Sequence, residues 1–564
     1  MPVATIDPRR SCSVFIVMIL TIAGCAREQT KPSSPVDKLG VVDFPISCTP
    51  AVQSDFNHAV ALLHHMTYTQ AGDAFQAIAA KDPKCAMAQW GIAMTLFTPL
   101  WPTRPSADEL QRGWQSAQRA LALKPPTLRE QLFIQAIADF FQDPASSDYW
   151  LRIARWETAM QKVHDAFPRD HEASAFFALA LLAAARPGPG LQENSQKAVN
   201  LLLEVYKENS SHPGAMHYII HANDMPGREH DNLDIVRRYA DIAPDNPHAL
   251  HMPTHIYVRL GDWDGVIAGN LRAADAALRY PVGAHGELVW DEFAHAIEYL
   301  VYAYLQQTAD EKAAEQIARL MATTNIQPSA KTAFHLASTR ARYALERHAW
   351  KEAAMLVPRE PATIEWDRFP WPEAVTWFAR GYGAVRMGDV EESRRAIARL
   401  QELESRADKS GEAAFARQIQ MLRFELSGWT AHADHDDDTA VSLLRQAIDI
   451  EGNNPKPPVT PAATLPAAEI LGDLLLELNR PSEALAAYQQ SLQRFAARFN
   501  STLGMIEAKA AVGDHTGAEQ SYCELLRISA HGTPDARRDA SQEFLSNSSQ
   551  FTKDAKRACV AKAR

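Results

Sequence analysis

The stretch MTYTQAGDAFQAIAAKDP, residues 66–83, sets the reading of the whole chain. Tyr68, Ala71 and Phe75 stand three and four residues apart, so on a helix they share one face, and Pro83 closes the unit. A large side chain, a small one and a second bulky one in that order suit a helix hairpin. Two helices approach closely only where one side chain is tiny, and the aromatic fills the space beside it. The pattern returns in LELNRPSEALAAYQQSL (476–492) with Pro481, Ala484 and Tyr488, and in AVGDHTGAEQSYCELL (511–526) with His515, Ala518 and Tyr522. It returns more loosely in RLGDWDGVIAGNLRAAD (259–275), with Trp263, Asn270 and Ala273, because Val266 stands at the small position. Weaker copies lie at Trp156 to Pro168, Trp350 to Val357 and Gly388 to Leu400.

This unit resembles the tetratricopeptide (TPR) repeat, which has a period of ~34 residues. The resemblance implies an all-α fold, a TPR-like helix-turn-helix repeat solenoid of roughly ten helix pairs. A β or α/β reading fails, since alternating β-branched runs bounded by turn residues are almost absent. Length agrees, because 564 residues exceed what one compact core usually holds. Three proline-bearing interruptions punctuate the repeats: TPLWPTRP (98–105), RPGPG (186–190) and NNPKPPVTPAATLP (453–466). The last is expected to be a lining loop, a joint before the C-terminal repeats, or a plain linker.

Chemistry concentrates between His212 and Glu298. Nine of the twenty histidines fall there, in HPGAMHYIIHANDMP, PHALHMPTHIYV and WDEFAHAIEYL. His217 and His221 are four apart, as are His251 and His255, so each pair shares a helix face. His248 precedes the second pair, Asp224 follows the first, and His295 with Glu298 forms a third same-face pair. Imidazoles so spaced bind first-row metal ions, and His217, His221, His251, His255 and His295 are the expected ligands, for zinc or copper, with iron a further fit. The residues between the paired histidines are not acidic, so the general base of an HExxH peptidase is missing from both. Two other readings stay open. The histidines pack inward on separate hydrogen bonds, or they line a metal-free pocket for a peptide, carboxylate or small ligand with Asn223, Tyr257 and Arg259. Trp101 and Trp371, each beside prolines in an expected loop, are candidates for stacking on a ligand. His58, His64 and His65 form a smaller cluster, read as structural. The acidic run 434–438 lacks the spacing of a calcium loop and reads as a solvated turn. No nucleophile motif or phosphate-binding glycine loop occurs, so catalysis by a side-chain nucleophile is not expected, and whether the protein is an enzyme stays open.

A narrower resemblance rests on FNHAVALLH (56–64), DPKCAMAQWG (82–91) and HALHMPTHI (248–256). These blocks are similar to those of a group of bacterial exported TPR-repeat proteins, over about Ile46 to Asn500. The resemblance supports the architecture and implies no particular activity.

The N-terminus has Arg9 and Arg10, then an apolar run from Val14 to Ala23 that is shorter than the ~20 residues of a membrane span. It reads as an export signal ending in Ile22-Ala23-Gly24-Cys25, a lipobox in which Cys25 takes the lipid anchor. Ala26 rather than Asp after that cysteine favours the outer membrane, facing the periplasm. The expected organisation is a signal peptide over 1–24, a tether over 25–45, repeats over 46–190, central repeats with the histidine block over 191–452, the proline-rich loop over 453–466, and C-terminal repeats over 467–564. In an oxidising compartment the remaining cysteines are expected to pair as Cys48 with Cys85 and Cys523 with Cys559. A formal charge of −11 with no basic block argues against nucleic acid. The expected function is an envelope-anchored scaffold that binds a protein, peptide or small ligand in a concave, histidine-lined groove. The alternative is a metal-binding protein or metal-dependent hydrolase.

Overall fold

Three Gly-Asp pairs show how the chain turns. Gly261, Gly388 and Gly513 adopt φ of +66°, +86° and +85°, a left-handed conformation that ends one helix at little cost only for glycine. The following aspartate caps the next helix. Asp262 accepts from the N–H of Gly265, Asp389 from Glu392 and Asp514 from Gly517. One dipeptide thus stops a helix and starts its antiparallel partner.

The computed structural model describes residues 38–532 apart from 102–103, 147, 186–188, 284–285, 455 and 458. Among them run twelve helix pairs, beginning with Gln53–His64 and Tyr68–Lys81 and ending with Phe499–Ala511 and His515–Ile528. The fold is an all-α, TPR-like solenoid, its only regular strands among the described residues forming a short antiparallel ribbon, Pro281–Val282 with Leu288–Val289. The aromatic-and-small pattern works as close packing. A Cβ on Gly91 would lie 2.2 Å from the Phe75 ring, and Tyr488 is wedged between Gly472 and Gly504 in the same way.

Two long-range contacts wrap the array around its middle. The first helix, Gln53–His64, packs on Pro213–Asn223. At the other end Trp263 Nε1 donates to the Ala497 carbonyl at 3.1 Å, and the Phe499 N–H to Gln306 Oε1 at 3.0 Å. Arg498 is buried between Glu346 and Glu469, with N–O distances of 2.7 and 2.6 Å. Consequently every residue of the Glu292–Gln306 helix is buried.

Some expected boundaries differ. Residues 38–45, expected in the tether, are built into the repeats: Phe44 is buried against Phe56, Trp90 and Phe133, and the Gly40 N–H donates to the Ile242 carbonyl. Trp371 is in the first turn of the helix Pro370–Arg386, not in a loop, because proline is tolerated where helical N–H groups have no partner. Cys48 and Cys85 are joined by a disulfide with Cα atoms 4.9 Å apart. The signal segment, Cys25 and Cys559 lie outside the described residues.

Candidate metal centre

Four segments carry the histidines. Pro213–Asn223 brings His217 and His221; Pro247–His251 and Pro253–Leu260, separated at Met252, bring His248, His251 and His255; Glu292–Gln306 brings His295. They form two trios, His217/His221/His248 and His251/His255/His295, in each of which one ring nitrogen per residue lies within 4.8 Å of the others. The spacing-based pairs are therefore both present, and each gains a third histidine from elsewhere in the fold.

The protons on these rings follow from their partners. Asn270 donates its amide N–H to the Val266 carbonyl at 2.8 Å and to Thr254 Oγ1, which leaves its Oδ1 to accept from His251 Nδ1 at 2.6 Å. His255 Nδ1 donates to Asp224 Oδ2 at 2.9 Å, a carboxylate that also receives Arg259. Both rings therefore carry their proton on Nδ1. Their Nε2 lone pairs then face each other at 3.0 Å. Tyr299 Oη, 3.4 Å from His255 Nε2, is too distant for a good hydrogen bond. A third chain gives the same result. Glu298 accepts from Ser338 Oγ at 2.6 Å and from His335 Nδ1 at 2.5 Å, so His335 Nε2 accepts from His295 Nδ1 at 3.1 Å, and His295 Nε2 is a lone pair. In the other trio His217 Nδ1 donates to the His64 carbonyl at 2.6 Å, His248 Nδ1 lies 3.3 Å from Glu292 Oε2, and their Nε2 atoms are 3.2 Å apart. His221 Nε2 is buried and, among the described residues, without a hydrogen-bond partner.

Burial favours the neutral form of five of these rings. It holds His217, His251 and His295 well below the ordinary imidazole range, neighbouring histidines adding to the effect, and lowers His221 to about 3. It also lowers His255, although Asp224 acts the other way. Burial alone would raise Asp224 and Glu292, but Arg259 with Lys456, and Lys331 with His248, hold the two carboxyls well below their usual range.

The other expected residues divide. Glu298 orients His335 and through it His295. Asp224 orients His255. Trp101 lies 6.2 Å from the His248 ring with the Lys331 ammonium 4.2 Å from its face. Asn223 does not join the centre: its amide donates to the Asp231 carbonyl and Asn232 Oδ1, shaping the turn after its helix. Tyr257 is half-buried towards Asp262 and Gly265, away from the trios, because it lies two positions from His255 on the helix. Sequence reasoning missed His335, Glu292, Lys331 and Asn270. Only Asn270 carried a readable signal, as a polar residue at a packing position of the repeat. His64 and His212 both bond Glu172, at 2.7 and 3.1 Å; their remaining nitrogens meet Tyr218 Oη and the Ala215 N–H, so this third cluster satisfies itself. His65 likewise meets Tyr239 Oη and the Leu39 carbonyl.

The histidines are interior rather than on an open concave face; His217 and His251 have no exposed surface. Two cavities reach them. One, of about 80 Å³, is walled by Trp101, Phe334, Phe369, Trp371 and Phe415 and opens onto His221, His248, His255 and His295. The other, of about 450 Å³, meets His221 from the side of Asp224, Arg259 and Lys456.

The sequence matches no known family profile and no curated protein. Among solved structures it is similar to Cut9 in the APC/C hetero-tetramer Cut9-Hcn1, at 13% identity and TM-score 0.32, over 89% of this chain and 90% of that one. It is also similar to the human IFIT1 dimer with m7Gppp-AAAA, at 14% and 0.34 over 79% and 90% of the two chains. A Rap protein complexed with competence and sporulation factor matches at 10% and 0.33, over 85% and 99%. These are likenesses of helix arrangement at low identity, and they say nothing of the histidine centre.

Proposed function

We propose that this protein binds copper or zinc through the two histidine trios and does so at the cell envelope, anchored by a lipid on Cys25. The observation that carries the metal reading is the pair of lone pairs on His251 and His255, which face each other at 3.0 Å while both Nδ1–H groups are committed outwards. Two such nitrogens repel unless a cation lies between them, and ligating histidines characteristically donate the other ring N–H to a carboxylate or carbonyl. Imidazole donors suit copper or zinc and suit magnesium or calcium poorly. Each trio leaves a position open for a further ligand. Asp224, Asn270 and the Glu298–His335 pair would hold the rings in the binding orientation.

Untagged protein, stripped and reloaded, is expected to retain about two equivalents of copper or zinc per chain. His251→Ala with His255→Ala should lose at least one of them at unchanged helicity. Failure of the well-folded wild type to retain either metal would sink the proposal. The repeat fold also supports a second reading, in which the outer helices engage a protein partner at the envelope, since stacked helix pairs present extended surfaces. The buried histidines would take no part in it. Envelope extracts passed over immobilised protein should yield a partner that is lost on changing exposed outer-helix residues and kept in the histidine variants; a partner unaffected by the outer changes would remove this reading.

A further inference from the structure

The larger cavity carries a charge imbalance that the metal reading does not use. Its lining includes Arg259, Lys456 and Arg494 and a single carboxylate, Asp224. Asp224 is already engaged, accepting from Arg259 Nε at 2.5 Å and from His255, with Lys456 Nζ 3.6 Å away. Among the described residues Lys456 otherwise donates only to the Thr460 carbonyl at 3.1 Å. Arg494 is half-buried and, among the described residues, makes no hydrogen bond or ion pair. Glu451 faces Arg494 from the adjoining cavity, but burial pushes its carboxyl up to about 7, so it offers a full counter-charge only above neutrality. Cations withdrawn from water without a partner are costly, and an anion in the cavity would offset that cost. Leu182, Leu191, Met225, Val258 and Phe495 give the cavity an apolar wall, Ser195, Tyr302 and Asn453 add neutral polar groups, and the volume of about 450 Å³ is in the range of small-molecule sites. His221 Nε2 completes the site from the histidine side.

We propose that this cavity binds a small organic acid, its carboxylate held by Arg494 and Lys456 beside the Asp224–Arg259 pair and its carbon body against the leucines, Met225 and Phe495. The site needs no metal, so it stands or falls separately from the histidine trios. An acid bound here lies next to His221 and within reach of an ion held by the first trio.

The test is calorimetric titration of metal-free full-length protein with succinate, benzoate and inorganic phosphate, at low ionic strength. At least one organic acid is expected to bind. Arg494→Gln should weaken it by about tenfold or more, the loss that follows when a charged hydrogen-bond donor is removed. Lys456→Met should act in the same direction, and Arg494→Gln should melt no lower than the wild type without ligand, because it removes an uncompensated charge. Organic acids that fail to bind, phosphate alone binding, or affinity unchanged in both variants would each overturn the proposal. Binding seen only after zinc loading and indifferent to Arg494 would do the same, since the acid would then be a ligand of the metal alone.

Discussion

Asn270 stands where other repeats carry Phe75, Tyr488 or Tyr522, and it shows how a packing position becomes part of a site. Its amide is anchored on Val266 and Thr254, and its oxygen fixes which nitrogen of His251 bears the proton. Asn270→Leu would fill the volume but remove that acceptor, leaving His251 Nδ1 free to lose its proton and turn. Zinc affinity, read by competition with a chelating dye, is expected to fall about 10- to 100-fold. Stability should drop by about 1–3 kcal/mol for the stranded polar groups. Asn270→Asp keeps an acceptor and should retain most of the affinity; equal loss in both variants would mean the residue acts through packing alone. The two HxxxH pairs were legible because both histidines of each lie on one continuous or nearly continuous helical path. What sets their protons was not, since Asp224 reaches His255 and His335 reaches His295 from separate segments, 31 and 40 residues away in sequence, and Glu298 acts on His295 only through His335. Asn223 and Tyr257 were misplaced for a related reason: proximity in sequence to a ligand says nothing of which way a side chain faces.

At the scale of the helix pair, the packing rule read from residues 66–83 becomes a question of space. Tyr488 fills the gap between the helices Ala467–Glu477 and Phe499–Ala511, where Gly504 would bring a Cβ within 2.2 Å of its ring and Gly472 within 2.7 Å. With glycine on both sides the ring cannot yield, so Gly504→Ala is expected to cost about 1–3 kcal/mol in urea unfolding. A loss no larger than a few tenths would show that the ring has somewhere to go. The same hairpin predicts a pH dependence. Burial, with Glu469 adding, raises the Asp473 carboxyl from 3.8 to about 7, although Tyr488 Oη donates to it at 2.6 Å. Between about pH 4 and pH 7 the folded chain holds a proton there that the unfolded chain has lost, so stability is full below this window and falls as pH rises through it. Glu451, also raised to about 7, acts in the same direction. Asp473→Asn cannot titrate, and its stability relative to the wild type should therefore increase steadily from pH 4 to pH 7. A difference that stays flat over this window would place the carboxyl in an ordinary solvated setting.

Across the whole molecule the repeats were legible because each unit is local, within ~34 residues. The wrapping of the array was not, because the contacts that close it, Trp263 with Ala497 and Arg498 with Glu346, join residues 234 and 152 positions apart and carry no periodic signal. That closure turns the histidine block from an expected groove into an interior centre. It also means that ions in the two trios would together tie three successive helix pairs, through Pro213–Asn223, the segments on either side of Met252, and Glu292–Gln306. A ligand that binds only the folded state stabilises it in proportion to its affinity, and locally it protects the elements that it joins. Zinc loading should therefore slow amide hydrogen exchange in residues 213–223, 247–260 and 292–306. The helices Ala413–Ala433 and His515–Ile528, which contribute no ligand, should change little. Protection spread evenly over the chain, or confined to one of the three segments, would mean that the trios do not bridge their segments as the ring geometry requires. Protection of the Ala330–Glu346 helix beside the ligand segments is expected too, since His335 and Glu298 lock the His295 ring from that side.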